Sequence, residues 1–346
     1  MEFFDFCLAS ALPSNKDFLV LKKYKVTNLK YLENKKPLKG LSQGFWNRLK
    51  NLNLKKLEKE FRKIRDKKYK LLRLDQKNYP DILKQISDPP VYLFIWGNEK
   101  ILGKPALAFV GSRRATSYGK KVTNYLIFNL QFDWIIVSGL ALGIDSFSHQ
   151  AALDSDKKTV AVLGSGFSNL YPSNHKILAE KIIRSQGAII SEYPPHFGPE
   201  RYFFPARNRI IAGLVQAVII VEAAKHSGSL ITASLAARYG REVMTVANDL
   251  FCLTSEGCFS LIKQGAKPIF SAEDIEEGFF ISNPEWIKKD KEKIKDPLME
   301  FLVTPKHLEE IQKFINLNSE KTLVKLSELE VENKIRNLGS GFYQSK

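Results

Sequence analysis

Short apolar segments recur along the middle of the chain at intervals of about 25 to 30 residues. They are rich in Val, Ile and Ala without a polar alternation, and stretches with helical spacing lie between them. Apolar strands that alternate with helices are typical of a parallel sheet covered on both faces. The sequence therefore predicts a doubly wound α/β domain with strands at Ala106–Val110, Trp134–Val137, Thr159–Leu163, Ala188–Ile190, Ala217–Val221, Val243–Val246 and, as a seventh, Lys267–Phe270.

The segments on either side of this region differ from it in composition. Residues 1–70 place Leu, Tyr and Phe at roughly helical spacing, with a break near Pro37–Gly40 and a basic amphipathic helix at Lys55–Lys70. After residue 283, a charged stretch precedes two or three helices and a glycine-containing hairpin, the outline of a winged helix. We expect a helical domain at 1–75, the α/β domain at 76–282, a charged linker at 283–296 and a winged-helix-like domain at 297–346.

The chain is strongly basic, with a formal net charge of +16. Residues 1–90 contain 22 Lys and Arg against 10 Asp and Glu, an excess that either reflects a lysine-rich proteome or attracts a polyanion such as nucleic acid. The excess of Lys over Arg favours the first interpretation in that segment. Arginines close to glycines in the middle of the chain favour the second interpretation there.

The cysteine content and the lack of a signal-peptide pattern indicate the compartment in which the protein is expected. Cys7, Cys252 and Cys258 are too few and too scattered for a disulfide framework, and they lack the spacing of a zinc site. No apolar run is long enough to span a membrane, and the N-terminus lacks a signal-peptide pattern. We expect a cytoplasmic protein without a metal or another cofactor.

The loop Gly111–Gly119 directly follows the first strand and has the composition of a phosphate site. Glycine permits a tight turn, the N–H groups at the start of the next helix attract an anion, and arginine donates to two phosphate oxygens at once. The spacing matches neither the dinucleotide fingerprint nor the P-loop. We expect Arg113 to contact phosphate and Arg114 to add charge at the rim.

Four further loops of glycine and polar residues follow the next strands. Because the carboxyl ends of parallel strands meet at one edge, these loops predict a basic groove larger than a mononucleotide needs. Aromatic residues in the loops could stack on unpaired bases: Phe167, Tyr171, Phe197, Tyr202 and Phe203. Phe204 is interpreted as a core anchor, and Phe167 as either exposed or part of the core.

Carboxylates at the strand ends have two interpretations. Asp145, Glu192 and Glu222 lie where an enzyme would place catalytic acids, but Asp145 also suits a helix cap. The two glutamates equally suit ion pairs with Arg207 or Arg209. The structural interpretations are preferred, His149 is expected to be a packed histidine, and the sequence predicts no enzyme.

Short motifs follow one another in a fixed order through the α/β region. They are Val110–Arg113, Ile136–Ala141, Gly143–Asp145, Val160–Gly166, Tyr171–Pro172, Ser191–Pro194, Phe204–Gly213, Val221–Ala223, Ser227–Ala233, Leu261–Ile262 and Gly265–Ala266. In this order they resemble the DNA-processing protein A family, called DprA or Smf. The resemblance extends from about Tyr79 to Asp274, and the C-terminal tail resembles the family's winged-helix domain.

The resemblance implies an extended Rossmann-like domain that binds single-stranded DNA without catalysing a reaction. It also implies a homodimer, and loading of the recombinase RecA onto that DNA in homologous recombination, as in natural transformation. The residues expected to form the DNA site are Gly111, Ser112, Arg113, Arg114, Gly139, Gly164, Ser165, Gly166, Phe167, Lys176, Arg207, Asn208, Arg209, Gly228 and Thr232.

One stretch departs from the family pattern, and one other function competes. Val246–Asp249 and Gly257–Phe259 replace the family's Val-Pro-Gly and Gly-x-Asn, which puts in question the contacts of the last loop and the dimer or partner surface near it, but not the contacts of the DNA pocket. The alternative is a nucleoside-monophosphate phosphoribohydrolase on a related fold. That enzyme needs a Pro-Gly-Gly-x-Gly-Thr-x-x-Glu stretch, which Glu222–Ala233 does not supply.

Overall fold

The computed structural model describes residues 2–27, 37–282, 297–315, 317–331 and 334–345. The chain divides into two compact units, residues 1–286 and 287–346. The expected linker at 283–296 lies outside the described residues. In the described part of the chain, no helix combines the length and the apolar character needed to span a membrane.

The first unit consists of one large sheet with helices on both faces. Its strands are β1 (Lys70–Arg73), β2 (Tyr92–Gly97), β3 (Ala106–Val110), β4 (Ile135–Ser138), β5 (Thr159–Leu163), β6 (Ala188–Ser191), β7 (Ala217–Ile220), β8 (Glu242–Val246) and β9 (Lys267–Ile269). Its described helices are α1 (Phe3–Ser10), α2 (Asn15–Lys23), α3 (Gln43–Lys50), α4 (Leu54–Asp66), α5 (Asp81–Lys84), α6 (Ser117–Asn129), α7 (Ile144–Asp154), α8 (Lys176–Arg184), α9 (Phe203–Gly213), α10 (Ser229–Arg238), α11 (Glu256–Lys263) and α12 (Ala272–Ser282).

The sheet has the strand order β1-β2-β6-β5-β4-β3-β7-β8-β9. Strands β3 to β9 pair in parallel, and the order reverses between β3 and β7, as in a doubly wound fold. All seven predicted strands are present, and each end lies within one residue of its predicted position. The α/β fold class predicted from the sequence is confirmed.

Two antiparallel strands at one edge were not predicted. Strand β1 pairs with β2, and β2 pairs with β6, so this edge is antiparallel. Helix α4 ends at Asp66, not at Lys70 as expected, because the chain enters β1 at that point. Leu72 is buried in the sheet's core, but four residues are too few to show a strand pattern in the sequence.

The N-terminal helices pack directly on the large sheet. Phe6, Phe18 and Trp46 belong to the same buried cluster as Phe94 and Ile189 of the sheet. Burial of large apolar side chains drives this packing, and each contributes about 1.5–3 kcal/mol. The predicted domain boundary at residue 75 stays a prediction.

The second unit is a small helical core with a three-stranded sheet. Its described elements are α13 (Pro297–Phe301), β10 (Lys306–His307), α14 (Leu308–Ile315), α15 (Ser319–Val331), β11 (Ile335–Gly339) and β12 (Phe342–Ser345). The sheet order is β10-β12-β11, and Leu302, Ile311 and Leu326 form part of its core. The expected helices and hairpin are present, and the assignment as a winged helix stays a prediction.

Candidate functional site

Loops that follow six parallel strands, β3 to β8, meet at the carboxyl edge of the sheet around a cavity of about 1210 Å³. The N-terminal ends of α9 and α10 complete its wall. Of the fifteen residues predicted from the sequence, eight line this cavity, here called the main groove: Gly111, Ser112, Arg113, Arg114, Arg207, Asn208, Gly228 and Thr232. The other seven lie behind its wall or elsewhere.

The first loop turns tightly because Gly111 has no side chain. A Cβ at this position would lie 2.7 Å from the carbonyl oxygen of Glu222 and from Ile144. The backbone N–H of Ser112 donates to that same carbonyl at 2.7 Å. The loop is thereby held against β7, and Arg113 and Arg114 are exposed at the groove.

The start of helix α6 differs from the expectation of a backbone phosphate site. The buried carboxylate of Glu222 accepts hydrogen bonds from the backbone N–H of Thr116 at 2.9 Å and from its hydroxyl at 2.5 Å. The Thr116 hydroxyl in turn accepts from the N–H of Gly119. An internal carboxylate therefore occupies this helix end, and the loop presents its arginine side chains to a ligand.

Helix α10 begins at the groove. Gly228 precedes the helix, has no side chain to cap it and lines the groove, as do Ser229 and Thr232. The side-chain amide of Asn208 donates to the Gly228 carbonyl at 3.3 Å, which joins α9 to this loop. The N–H groups of Ser229, Leu230 and Ile231 already donate to Ser227 and Gly228, so this helix end favours an anion only through the field of the helix.

Arg207 is buried in the wall of the groove. Its guanidinium donates to the carbonyl of Gly139 at 2.7 Å and to that of Val162. Burial lowers the pKa of Arg207 to about 10, although Asp145 opposes this shift. A side chain at Gly139 would collide with both charged groups, so the glycine provides the space that they share.

Asp145 has a different structural role from the expected helix cap. The cap position of α7 is Gly143, and the Asp145 carboxylate accepts from the N–H groups of Gly139 at 3.1 Å and Ala141 at 3.4 Å. The cap prediction is therefore wrong. Burial raises the pKa of Asp145, and Arg207 acts against that rise.

Arg209 does not line the groove. It forms ion pairs with Glu192 at 2.6 Å and with Asp88 at 3.3 Å. The predicted pair between Arg209 and Glu192 is confirmed. Glu222 instead binds Thr116 and makes no ion pair within 4.0 Å to a described residue.

The third loop, Gly164–Pro172 after β5, lies against the chain that follows β6. Gly166 donates its N–H to the Phe197 carbonyl at 2.9 Å, and a Cβ at Gly166 would collide with Pro194. Ser165 is buried behind the loop. Phe167 is only 6% exposed, so the core interpretation of this residue is confirmed.

The adjacent residues Phe203 and Phe204 have opposite environments. Phe203 is buried and stacks on Tyr193, with ring centroids 3.8 Å apart. Phe204 lines the groove, 5.5 Å from the Tyr171 ring and 5.7 Å from the Arg113 guanidinium. The prediction that Phe204 anchors the core is wrong. Adjacent side chains point in different directions around α9, so Phe203 faces the core and Phe204 faces the groove. Gly164 lies next to the Phe204 ring, which a Cβ would meet at 2.9 Å.

Lys176 lies at the start of α8 and lines a second cavity of about 740 Å³. Phe167 forms part of the same wall. The structure therefore separates Lys176 from the arginines of the main groove, although the sequence placed them in one set.

Sequence reasoning missed two basic residues of the main groove, Arg201 and Lys225. Arg201 precedes α9, and Lys225 lies in the loop before α10. Both are within a few residues of predicted site positions, so the local excess of basic residues was a usable signal. Within the described residues no group of three or more His, Cys, Asp and Glu side chains could hold a metal ion.

Residues 70–279 match the family model described as DNA recombination-mediator protein A. DprA of Bacillus subtilis strain 168 is 42% identical over 224 residues, which is 64% of this chain and 75% of the relative. DprA of Streptococcus pneumoniae R6 is 44% identical over 197 residues, which is 57% of this chain and 70% of the relative.

Two solved structures resemble this one. The X-ray structure of DprA from Streptococcus pneumoniae has a TM-score of 0.68 and 34% identity, and the match covers 80% of this chain and 96% of that chain. DprA from Helicobacter pylori, solved to describe its single-stranded DNA binding mode, has a TM-score of 0.55 and 32% identity. That match covers 62% of this chain and 97% of that chain.

Proposed function

Because the chain belongs to the DNA recombination-mediator protein A family, we propose that its main groove binds single-stranded DNA. The family consists of recombination mediators and not of enzymes, which confirms the expectation that the chain is not an enzyme. The phosphoribohydrolase alternative is not supported by this assignment.

Unpaired basic side chains around a large cavity carry the proposal. Arg113, Arg114, Arg201 and Lys225 line the main groove, and none forms an ion pair within 4.0 Å to another described residue. Phosphate contacts dominate the affinity of proteins for nucleic acids. The volume of about 1210 Å³ exceeds what a small-molecule site usually requires and suits a polymer.

Aromatic side chains at the same groove support an unpaired strand as the ligand. Tyr171 is 51% exposed and lines the groove beside Phe204. Tyr202, the predicted stacking residue that precedes α9, is 67% exposed but does not line the groove. Bases stack on such rings without regard to sequence, at about 1–3 kcal/mol per base. We therefore expect binding with little sequence preference.

The recombinase RecA is the proposed partner that receives the bound strand. The description of the family as a recombination mediator supports this assignment, because a recombination mediator acts together with a recombinase. In the cytoplasm, the protein would hold the strand and load RecA for homologous recombination, as in natural transformation. Filament formation by RecA on DNA coated with a single-strand binding protein, with and without this chain, tests the proposal.

A homodimer is the proposed assembly. Strand β9 forms an edge of the large sheet, and Phe270, which directly follows it, is 74% exposed. Phe251 is 95% exposed. A sheet edge next to large exposed apolar side chains is suited to burial against a second copy.

The proposed domain organisation keeps the boundaries expected from the sequence. The helical segment 1–75 and the α/β segment 76–282 both lie in the first unit. The helix, strand, two helices and hairpin of the second unit support a winged-helix assignment for 297–346.

The substitution Arg113→Ala tests the groove. It should weaken the binding of oligo-dT about tenfold or more, because it removes a charged donor to phosphate. The slope of log affinity against log salt should fall by about 0.7 for each phosphate that the variant no longer neutralises. Fluorescence anisotropy across a salt series measures both quantities.

Arg238→Ala provides the matched control, since Arg238 is exposed at the opposite end of α10 from the groove. It should leave affinity and salt slope unchanged. Equal affinities and slopes for wild type and Arg113→Ala would show that the groove is not the binding site.

A further inference from the structure

A second cavity lies where the N-terminal segment meets the α/β region of the first unit. Its volume is about 740 Å³. Lys67 and Tyr69 come from the segment between α4 and β1, and Trp96 comes from β2. Phe167 and Lys176 come from the loop after β5 and from α8. No feature of the family resemblance assigns a function to the first three residues.

One wall of this cavity is aromatic. The rings of Tyr69 and Phe167 are 4.9 Å apart, and Trp96 lies 5.8 Å from Tyr69 and 6.3 Å from Phe167. Tyr69 and Phe167 are buried, whereas Trp96 is partly exposed. The two buried rings therefore hold the indole in place, and an exposed part of it is left for a ligand.

The rim of the cavity is basic. Lys67 and Lys176 are exposed, and neither forms an ion pair within 4.0 Å to a described residue. The carboxylate at the cavity, Glu180, lies 3.8 Å from the guanidinium of Arg184. A positive rim beside an aromatic wall is the combination that single-stranded nucleic acid requires.

The second cavity adjoins the main groove. Pro199 lines both cavities and is exposed. The third loop separates them: Phe167 and Ser168 face the second cavity, and Tyr171 faces the main groove. A flexible polymer bound in the main groove can therefore pass Pro199 and enter the second cavity.

The geometry points to the second cavity as a nucleotide subsite for the same single strand. One unpaired base stacks on Trp96, and Lys67 and Lys176 bind the phosphates on either side of it. The inference rests on the proposed function, and it assigns the N-terminal segment a direct part in binding DNA. The ligand is a nucleotide of any base, because stacking needs only a π face.

Tryptophan fluorescence tests the subsite directly. The chain has four tryptophans, of which Trp46 and Trp134 are buried and Trp286 lies outside the described residues. In a Trp286→Phe background, oligo-dT of about 16 nucleotides should quench the emission. Adding Trp96→Phe should remove the quenching, and Trp96→Ala should weaken the affinity about tenfold, the loss of one stacked base.

Two lysine substitutions provide the charge test and its control. Lys67→Gln, an exposed substitution that leaves the aromatic wall intact, should lower the salt slope by about 0.7. Lys63→Gln, in the last turn of the preceding helix α4, should not, since Lys63 pairs with Glu60 and does not line the cavity.

The outcomes separate the subsite from the proposed function. If Trp96→Ala and Lys67→Gln bind oligo-dT like wild type and the emission is unchanged, the subsite is refuted while the main groove stands. If wild type does not bind oligo-dT at all, both the subsite and the proposed function are refuted.

Discussion

Arg113 and Arg207 line the same groove, but burial gives their side chains different tasks. Arg113 is exposed and lies above the Phe204 ring, so its donors are available to a ligand. Arg207 is 4% exposed and uses its guanidinium to hold two carbonyl groups of the strand-end loops. Removing Arg207 would take the guanidinium donor from the carbonyls of Gly139 and Val162, and each buried acceptor left without a partner costs about 1–3 kcal/mol.

His149 should make the stability of the first unit depend on pH. It is fully buried, and its Nδ1 lies 2.7 Å from the Thr159 hydroxyl. Burial, with help from the charges of His175 and Arg207, lowers its pKa from 6.5 to about 3. Below pH 6.5 the His149 imidazole binds a proton in the unfolded chain but not in the folded chain. The free energy of unfolding therefore decreases as the pH falls from 6.5 toward 3.

Urea unfolding at several pH values measures this effect in wild type and in His149→Leu. Each pH unit between the two pKa values is worth about 1.4 kcal/mol, so the variant should lose distinctly less stability between pH 6 and pH 4. His196, whose pKa is also lowered by burial, is present in both proteins and cancels. Parallel pH curves for the two proteins would contradict the assignment.

At the scale of elements, helix α6 depends on a close contact between Gly119 and Glu222. A Cβ at Gly119 would lie 2.5 Å from the Glu222 carboxyl carbon. Gly→Ala in a helix normally stabilises by about 0.5–1 kcal/mol. Here the collision should dominate, and Gly119→Ala should destabilise the protein by about 1–3 kcal/mol. Chemical denaturation measures the change.

The matched control is Gly278→Ala in helix α12. Gly278 is exposed, and a Cβ there would meet no atom within 4 Å. This variant should be slightly more stable than wild type. Because Glu222 holds the loop that carries Arg113, Gly119→Ala should also weaken oligo-dT binding, whereas Gly278→Ala should not. Equal stability of the two variants would argue against the role given to Glu222.

At the scale of the whole molecule, the sheet has two different edges. The edge formed by β1 lies beside the N-terminal helices, whose side chains share a buried cluster with the sheet. The opposite edge, β9, is followed by the exposed Phe270. This asymmetry is the reason for placing the second copy of the proposed homodimer at β9.

Phe270→Asp tests that placement. It should shift the mass in solution from twice 39.4 kDa toward 39.4 kDa, because a buried charge without a partner disfavours the interface. Light scattering coupled to gel filtration measures the mass. Leu19→Asp, at a residue 65% exposed on α2, should leave the dimer intact. A monomeric wild type would refute the homodimer.

Much of the fold and part of the site could be predicted from the sequence. The seven parallel strands were predictable because their apolar runs and the glycine loops after them are local patterns. The main-groove residues Arg113 and Gly228 followed, since parallel strands bring their loops to one edge. Strand β1 could not be predicted, because four residues are too few to show a strand pattern, and only the structure shows that β2 pairs antiparallel with β1 and with β6.

By itself, the sequence determined the seven parallel strands and their alternation with helices, the family, and the edge of the sheet that carries the basic loops. Only the tertiary structure decided which neighbour faces the groove, as with Phe203 and Phe204. It also decided that Glu222 occupies the start of α6 and that Lys67 and Trp96 share a cavity with Lys176. The physical reason is range: helix and strand periods depend on adjacent residues, whereas burial and charge pairing depend on side chains that only folding brings together.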